Sequence, residues 1–534
     1  MSRPLVALRA LALMLILSGW GAVPASPGQE ASPTAPGRSI ATAESRPGAM
    51  PAANQLDAIK ATLGMVRTLI VGFLALAIQA GFILVAVGLT RAKNASHTSG
   101  QILLGFAIGV IGFWACGFAL MFGGAGHIVA SVGDDVLGRM ASIHLGEREI
   151  GLFGYEGFFL SQNPGTGSAL WLFLLQLGFL GTAAIIPTGS LAERWRMKAS
   201  CLFGLAISML IYPIFGCWAW GGGWLAGLGT NFGIGNGFVD FAGSGVVHLT
   251  GGVAALVGSS VVGPRIGKYR RDGMPNPIPG HNIPLVIVGS LLLASAWIAM
   301  GANGGRPTAD MELGPMAVRA LLAAVSGCLG SCLYAWLFFG RPDPTLCCNG
   351  LLAGVVAISA PCAFVSPIGA TVIGGLAGLL AIGGILAVER ILRVDDPVGA
   401  VSVHAACGAF GCLCVGLFAT GEYGKGWNGV ADVTPMGILY GGGLGQLAAQ
   451  AIGILANLLW VAPTSYAAFR AIDALVGNRV SARVEVEGLD IPETGVLGYV
   501  VEETHVVATA GQVYLASHGP GVPERTSLGP PSRR

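Results

Sequence analysis

Charge is what this 534-residue chain has least of. Asp, Glu, Lys and Arg make up 10% of it, against roughly 25% in soluble domains, so a soluble multidomain protein is excluded as a class. The formal net charge is +2 and no basic patch is present, which leaves no footprint for nucleic acid. Metal-ligand spacing is lacking too. Of the 11 cysteines, Cys347-Cys348 and Cys412-x-Cys414 match no ligand pattern. Cys116, Cys201, Cys328, Cys332, Cys362, Cys407, Cys412 and Cys414 lie in apolar runs, where a buried thiol acts as a small hydrophobe. What is abundant is apolar: 53% hydrophobic residues accompanied by 85 glycines. That is the profile of a polytopic membrane protein whose helices pack through small residues.

The N-terminus carries Arg3 and Arg9, an apolar run from Ala10 to Leu17 and a small-residue site, Val23-Pro24-Ala25. Residues 1–25 therefore read as a cleaved signal peptide, with a short uncleaved anchor as the alternative. Residues 26–60, rich in Pro, Ala, Ser and Gly, are expected to form a disordered extracytoplasmic leader. The membrane core is expected over 61–475, and a flexible C-terminal extension over 501–534.

About 20 apolar residues cross a bilayer, and the candidate spans are 61–89, 101–123, 168–190, 199–220, 242–263, 282–303, 316–339, 347–365, 367–388, 397–419 and 436–470. Basic residues cluster after the odd-numbered spans: Arg91 and Lys93; Arg194, Arg196 and Lys198; Arg265, Lys268, Arg270 and Arg271; Arg341; Arg390 and Arg393. Positive charge stays inside, so the N-terminus is expected outside and the C-terminus in the cytoplasm.

One pattern occurs twice. Asp240 stands eight residues before His248, and Asp396 eight before His404. Each copy has Gly at +3 from the Asp (Gly243, Gly399), Val just before the His, and Gly four residues after it (Gly252, Gly408). Both histidines fall inside membrane spans, where an ionisable residue marks a substrate or ion pathway by default. They are five spans apart and so run in opposite directions. The fold expected is therefore all-α and polytopic, with eleven transmembrane helices in a five-plus-five inverted repeat around a central pore. Asp240 and Asp396 are expected as N-caps, Asp396 with Pro397 at the first helical position. Eight helical residues advance about 12 Å, which brings both imidazoles toward the midplane.

These residues resemble the ammonium transporter, methylammonium permease and Rhesus protein family. The likeness spans about 65–500 and includes Gln79 to Asn94, Leu191-Ala-Glu-Arg194, Trp220-Gly-Gly-Gly-Trp-Leu-Ala226, Arg393-Val-Asp-Asp-Pro397 and His281-Asn-Ile-Pro284. The resemblance implies a homotrimer with one pore per subunit, conducting ammonia or ammonium past His248 and His404, and it implies no cofactor. It gives Trp220 the role of a vestibule aromatic that holds ammonium by a cation–π attraction of about 0.5–2 kcal/mol; a belt tryptophan beside Trp218 and Trp224 is the bland alternative. It makes Phe179 an outer gate, against a core or lipid-facing aromatic, with Gln176 one turn before it. Asp240 matches the recruitment-site aspartate, although a purely structural cap is the favoured reading, and His281 is taken as structural or interfacial. Arg479 to Asp490, within a tail at 476–500, resembles a cytoplasmic regulatory segment that contacts neighbouring subunits and a PII signal protein; Thr494 replaces the family's nearby His.

The sequence departs from that pattern after Trp297. Where the family has Phe-Gly-Phe-Asn-x-Gly-Ser, this chain reads Trp297-Ile-Ala-Met-Gly-Ala-Asn-Gly-Gly-Arg306. The second gate position is then Met300 or Ala302, and Arg306 takes the vestibule serine position in one of the two alignments. A Gly-rich stretch from Gly227 to Gly237 is expected to reshape the mouth. Transport of ammonium in the cytoplasmic membrane is the leading function, and an ammonium sensor of the same fold is the alternative. An intramembrane metalloenzyme using His248, His404 and an Asp fails on ligand supply, because catalytic zinc sites usually take three protein ligands.

Overall fold

The computed structural model describes residues 52–126, 137–161, 167–305, 313–500, 505–509 and 512–516. The expected signal peptide and Arg306 lie outside the described residues, as does the leader up to residue 51.

Among the described residues, ten helices are long and apolar enough to cross a membrane, and an eleventh apolar helix is shorter. They are α1 (Ala52–Leu89), α2 (Ala92–Phe122), α3 (Ala169–Ser190), α4 (Met197–Ala219), α5 (Ser244–Val262), α6 (Ile283–Gly301), α7 (Leu313–Phe339), α8 (Pro344–Ile358), α9 (Pro367–Arg390), α10 (Val401–Phe418) and α11 (Gly445–Val476). The first begins at Ala52, so the end of the expected leader is helical. α8 spans 15 residues, and the rest of its expected span turns back through Ser359 to Ser366 into α9.

With so few charges, these helices sort by size of side chain rather than by polarity. α7 turns Leu321, Leu329 and Trp336 outward, more than half exposed, as a lipid-facing row does. Its opposite face is small: Gly327 lies against Gly350, Gly354 and Gly378, so α7, α8 and α9 touch backbone to backbone.

The expected all-α fold is broken outside the bundle by a hairpin. β1 (Met140–Leu145) pairs antiparallel with β2 (Arg148–Gly154). Trp224 N donates to Gly151 O at 2.9 Å and Trp218 Nε1 to Leu152 O at 2.8 Å. The Gly227–Gly237 stretch holds one helical turn and is pinned to α11, where Gln446 Oε1 accepts from Asn236 N at 2.9 Å. Within the C-terminal extension, β3 (His505–Thr509) pairs with β4 (Gln512–Ala516).

α5 and α10 cross at the centre, and the repeated glycines show why. A Cβ on Gly252 would lie 2.7 Å from Ala405 Cα, and one on Gly408 2.5 Å from Ser244 O and 3.0 Å from Leu249 N. Each glycine thus packs on the residue that follows the other copy's histidine. The contact is reciprocal, as an inverted repeat requires.

Candidate functional site

The two aspartates sit four and five residues ahead of their helices rather than at the N-cap position itself, and each reaches forward to cap the first turn. Asp240 Oδ1 accepts from Gly243 N, and its Oδ2 from Gly245 N and Val246 N, each at 2.8 Å. Asp396 Oδ2 accepts from Val401 N at 2.7 Å. Between aspartate and helix the chain makes a turn through Gly243 (φ +99) and Gly399 (φ +76), a left-handed conformation that glycine adopts without steric cost. The +3 glycine of the repeat is that turn. α5 and α10 then start at Ser244 and Val401 rather than at 242 and 397.

Both open with a widened, π-type turn that contains the histidine. His248 N donates to Gly243 O, five residues back, at 2.9 Å. Such turns re-aim side chains and recur at functional sites. Here they direct the two imidazoles at each other: Nδ1 to Nδ1 is 3.1 Å, with ring centroids 5.1 Å apart and planes 20° from parallel. Only one proton fits between the two Nδ1 atoms, so one ring donates and the other accepts. His248 Nε2 is buried with no hydrogen-bond partner among the described residues.

Two residues near the pair were missed in the sequence. Trp297, noticed only as an alignment anchor, covers His248 with centroids 4.5 Å apart and donates Nε1–H to Ser359 Oγ at 3.0 Å. Phe82 lies beside His404 at 6.2 Å. An apolar cavity of about 20 Å³ touches both histidines, Trp297 and Thr182; another of about 30 Å³ touches His404, Phe82 and Asn349. Each has room for about one water-sized molecule. Asn349 and Val398 also line a third cavity of about 670 Å³, so the chamber of His404 and a wide vestibule adjoin at these two residues.

On the opposite side of the pair the way is narrower. Phe179 packs edge-on against Trp220 at 5.3 Å and against Trp297 at 5.5 Å. Trp220 is 1% exposed and donates Nε1–H to Asp240 O at 2.6 Å, so it is not a lipid-belt residue. Gly305 lies directly on its ring, where any side chain would collide. Gln176 Nε2 holds Gly305 O at 2.5 Å, and Phe241 O accepts from Gly305 N at 2.7 Å. The site therefore brings Phe179, Trp220, Asp240, His248 and His404 into one column. Met300 turns its sulfur to Gly178, and Ala302 faces a small cavity beside Ala242, Trp297 and Cys362. Neither supplies the aromatic partner of Phe179; Trp297 does.

The wide vestibule opens on a face where buried charges meet. Arg265 makes a two-pronged pair with Asp395 (Nε–Oδ2 2.8 Å, Nη2–Oδ1 2.9 Å) and reaches Glu193 Oε2 at 2.9 Å. Arg91 Nη2 closes on the same glutamate at 2.8 Å. Burial by itself would raise the Asp395 carboxyl; the Arg265 bonds, with Arg194 behind them, outweigh it and hold the group at about 2. Burial also opposes ionisation of Glu193, but Arg91 and Arg265 keep it below the usual carboxylate range. The tail docks on this face: Glu485 Oε1 accepts from Ile266 N at 2.7 Å, and Asp490 Oδ1 from His97 N at 2.9 Å. His281 bridges Thr90 O at 2.8 Å and Tyr499 OH at 3.0 Å, a structural position as expected. The segments after α1, α3, α5 and α9, each of which carries one of the basic clusters, meet on one face, and the tail after α11 docks there.

Known proteins are similar to this chain in sequence and in fold. An ammonium transporter of Archaeoglobus fulgidus, Amt2, is 37% identical over 438 residues, covering 81% of this chain and 87% of that protein. Ammonium transporter 1 member 3 of Solanum lycopersicum is 32% identical, over 82% of this chain and 93% of its own length. Among solved structures, one named Sensor Amt Protein matches with a TM-score of 0.69 at 30% identity, covering 82% of this chain and all of that one. Mep2 of Saccharomyces cerevisiae shares the fold at a TM-score of 0.63 and 23% identity, over 78% and 88% of the two chains. The profile of the Ammonium Transporter Family matches residues 66–499, and this chain belongs to that family.

Proposed function

We propose that this membrane protein carries ammonium across the bilayer by parting it into ammonia and a proton at the His248–His404 pair. The observation that carries the reading is the pair's setting, at the junction of two apolar cavities each sized for one small molecule. Placing a bare monovalent ion in such surroundings costs on the order of 20 kcal/mol by idealised solvation arguments, whereas neutral ammonia carries no such penalty. The proton therefore needs its own route. His248 Nε2 takes it from ammonium, the shared proton shifts from His248 Nδ1 to His404 Nδ1, and His404 Nε2 releases one on the far side. Ammonia follows through the cavities, and the two rings end with their tautomers exchanged. Imidazole suits this relay because its ordinary pKa lies near neutrality.

Phe179 and Trp220 act as the outer gate in this reading. Asp240 serves as a scaffold, since both its oxygens are occupied by backbone N–H groups. The charged face is assigned to the cytoplasm of a cell inner membrane, which the basic residues after odd-numbered helices support. A homotrimer follows by family likeness, as does a PII-type partner that would meet the docked tail at 476–500.

The test is ammonium-driven current in proteoliposomes. His248→Ala and His404→Ala should each abolish it or leave uncoupled ammonia flux, with assembly intact. Undiminished electrogenic transport in both variants defeats the mechanism. A sensor with reduced conduction is the second reading, favoured by Gly305 closing over Trp220; wild-type protein that folds but carries no current would select it.

A further inference from the structure

The two copies of the repeat differ in what their aspartates leave free. Asp240 spends both oxygens on its own backbone, and the residue six positions on is Val246. Asp396 Oδ2 accepts from Val401 N, with the Ala400 N–H and the Ser190 hydroxyl also bearing on the carboxylate, and six positions on stands Ser402. Asp396 Oδ1 and Ser402 Oγ are both buried with no hydrogen-bond partner among the described residues. Ser402 is 1% exposed, yet both residues line the wide vestibule, together with Asn349. Buried polar atoms are nearly always satisfied, and two orphans on one cavity wall call for a ligand.

The geometry points to a small-cation site formed by Asp396, Ser402 and Asn349 at the neck between the vestibule and the chamber of His404. It rests on the transport reading above and places ammonium, the protonated small amine, as its occupant. The cations on the wall are already paired. Arg265 is neutralised by Asp395 and Glu193, and Lys268 is paired with Glu389. Arg341 and Asp343 are exposed at the rim and offset each other. Arg91 on Glu193 and Arg194 beside Asp395 complete this cluster, and the Asp396 carboxylate joins it through the field of Arg194 without an ion-pair contact of its own. Burial, aided by the neighbouring Asp395, pushes its carboxyl above the usual range against the pull of the Val401 and Ala400 N–H groups and of Ser190. The Ser190 hydroxyl bonds the carboxylate from one side and also meets Ser259 Oγ at 2.7 Å. An ammonium ion has four N–H donors, and Oδ1, the Ser402 hydroxyl and the Asn349 side-chain carbonyl are acceptors. The outer copy offers no equivalent, so the inverted repeat is symmetric in its histidines and asymmetric in its cation sites.

The site would hold ammonia that has crossed and regained a proton, or ammonium entering from the cytoplasm. The test compares ammonium-driven currents in right-side-out and inside-out vesicles. Ser402→Ala removes one acceptor, and Asp396→Asn keeps the Val401 cap while cancelling the charge. Ser402→Ala should raise the half-saturating ammonium concentration about fivefold in inside-out vesicles, and Asp396→Asn by more, with less than twofold change in right-side-out vesicles. Should Asp396→Asn fail to fold, Ser402→Ala decides alone. Wild-type current in both orientations with no shift in Ser402→Ala, or equal shifts in both orientations, overturns the site while leaving transport standing. No wild-type current in either orientation overturns the transport reading itself, and the site with it.

Discussion

Adding one methyl group at Gly408 should break the proton link between the histidines. A Cβ there would lie 2.5 Å from Ser244 O, against 3.4 Å for an ordinary contact. The obstructing atom is backbone at the start of α5, so no side-chain rotation relieves it, and α5 and α10 must separate by roughly 0.9 Å. Carried rigidly to the imidazoles, that retreat opens the 3.1 Å Nδ1–Nδ1 distance to about 4.0 Å, beyond hydrogen-bond reach. Overpacking of this kind costs about 1–3 kcal/mol of stability, which a membrane core of eleven helices tolerates. Gly408→Ala should therefore assemble, unfold at a modestly lower temperature, and lose at least tenfold in ammonium-driven current. Gly252→Ala, acting on Ala405 from the other copy, should do the same. Gly383→Ala on α9 is the control, because its Cβ would meet nothing within 4 Å. Full current in both Gly408→Ala and Gly252→Ala, at unchanged protein level, would refute the claim that conduction depends on imidazole contact.

Asp395→Asn leaves Arg265 buried with half its anionic partners gone, and losses of this type run to about 3–5 kcal/mol; a melting temperature within error of wild type would contradict it. The pH dependence has a fixed sign. Asp395 sits at about 2 in the folded protein against an ordinary 3.8, so the folded state binds fewer protons between those values. The stabilisation that the Arg265–Asp395 pair draws from this group, about 2 kcal/mol, is complete above about pH 5 and lost as pH falls toward 2. Asp395→Asn should flatten that acid limb in a thermal-unfolding series. Removing residues 501–534 should change neither current nor assembly, which transport assays and native mass spectrometry would check.

The sequence was most informative where chemistry repeats. Asp240…His248 and Asp396…His404 announced the pair and the inversion, and the basic residues after the odd-numbered spans announced the face those helix ends share. Even the glycines at +3 and +4 were visible as a pattern, although their reasons were not: one makes the turn that aims the helix, the other lets α5 and α10 touch. What stayed hidden depends on partners far apart in the chain. Nothing in the spacing of Trp297 and Ser359, or of Arg265 and Asp395, marks them as neighbours. The lid at Gly305 was invisible for the same reason, because a glycine gives no sign of what will rest on it. The β1–β2 hairpin is short and half-exposed, and its alternation was too brief to stand out between apolar helices.

Those long-range pairs also give the tail a route to the pore. Glu485, 1% exposed, accepts from Ile266 N at 2.7 Å and from Arg479 Nη2 at 2.9 Å. Ile266 follows Arg265, whose guanidinium holds Asp395, and Asp395 precedes the aspartate that caps α10. A displaced tail thus reaches His404 through one buried carboxylate, one peptide and one ion pair, with no change in any membrane-facing contact. Glu485→Ala should loosen this chain of contacts while leaving the aspartate–helix cap chemically whole. Hydrogen–deuterium exchange should then rise not only over 479–487 but also over 265–268 and 394–398, and current should fall without loss of protein. The same variant should lose any PII-type partner in pull-downs, because the docked tail would no longer present its surface. Faster exchange confined to 479–487, with full current, would mean that the tail rests on the bundle without steering it.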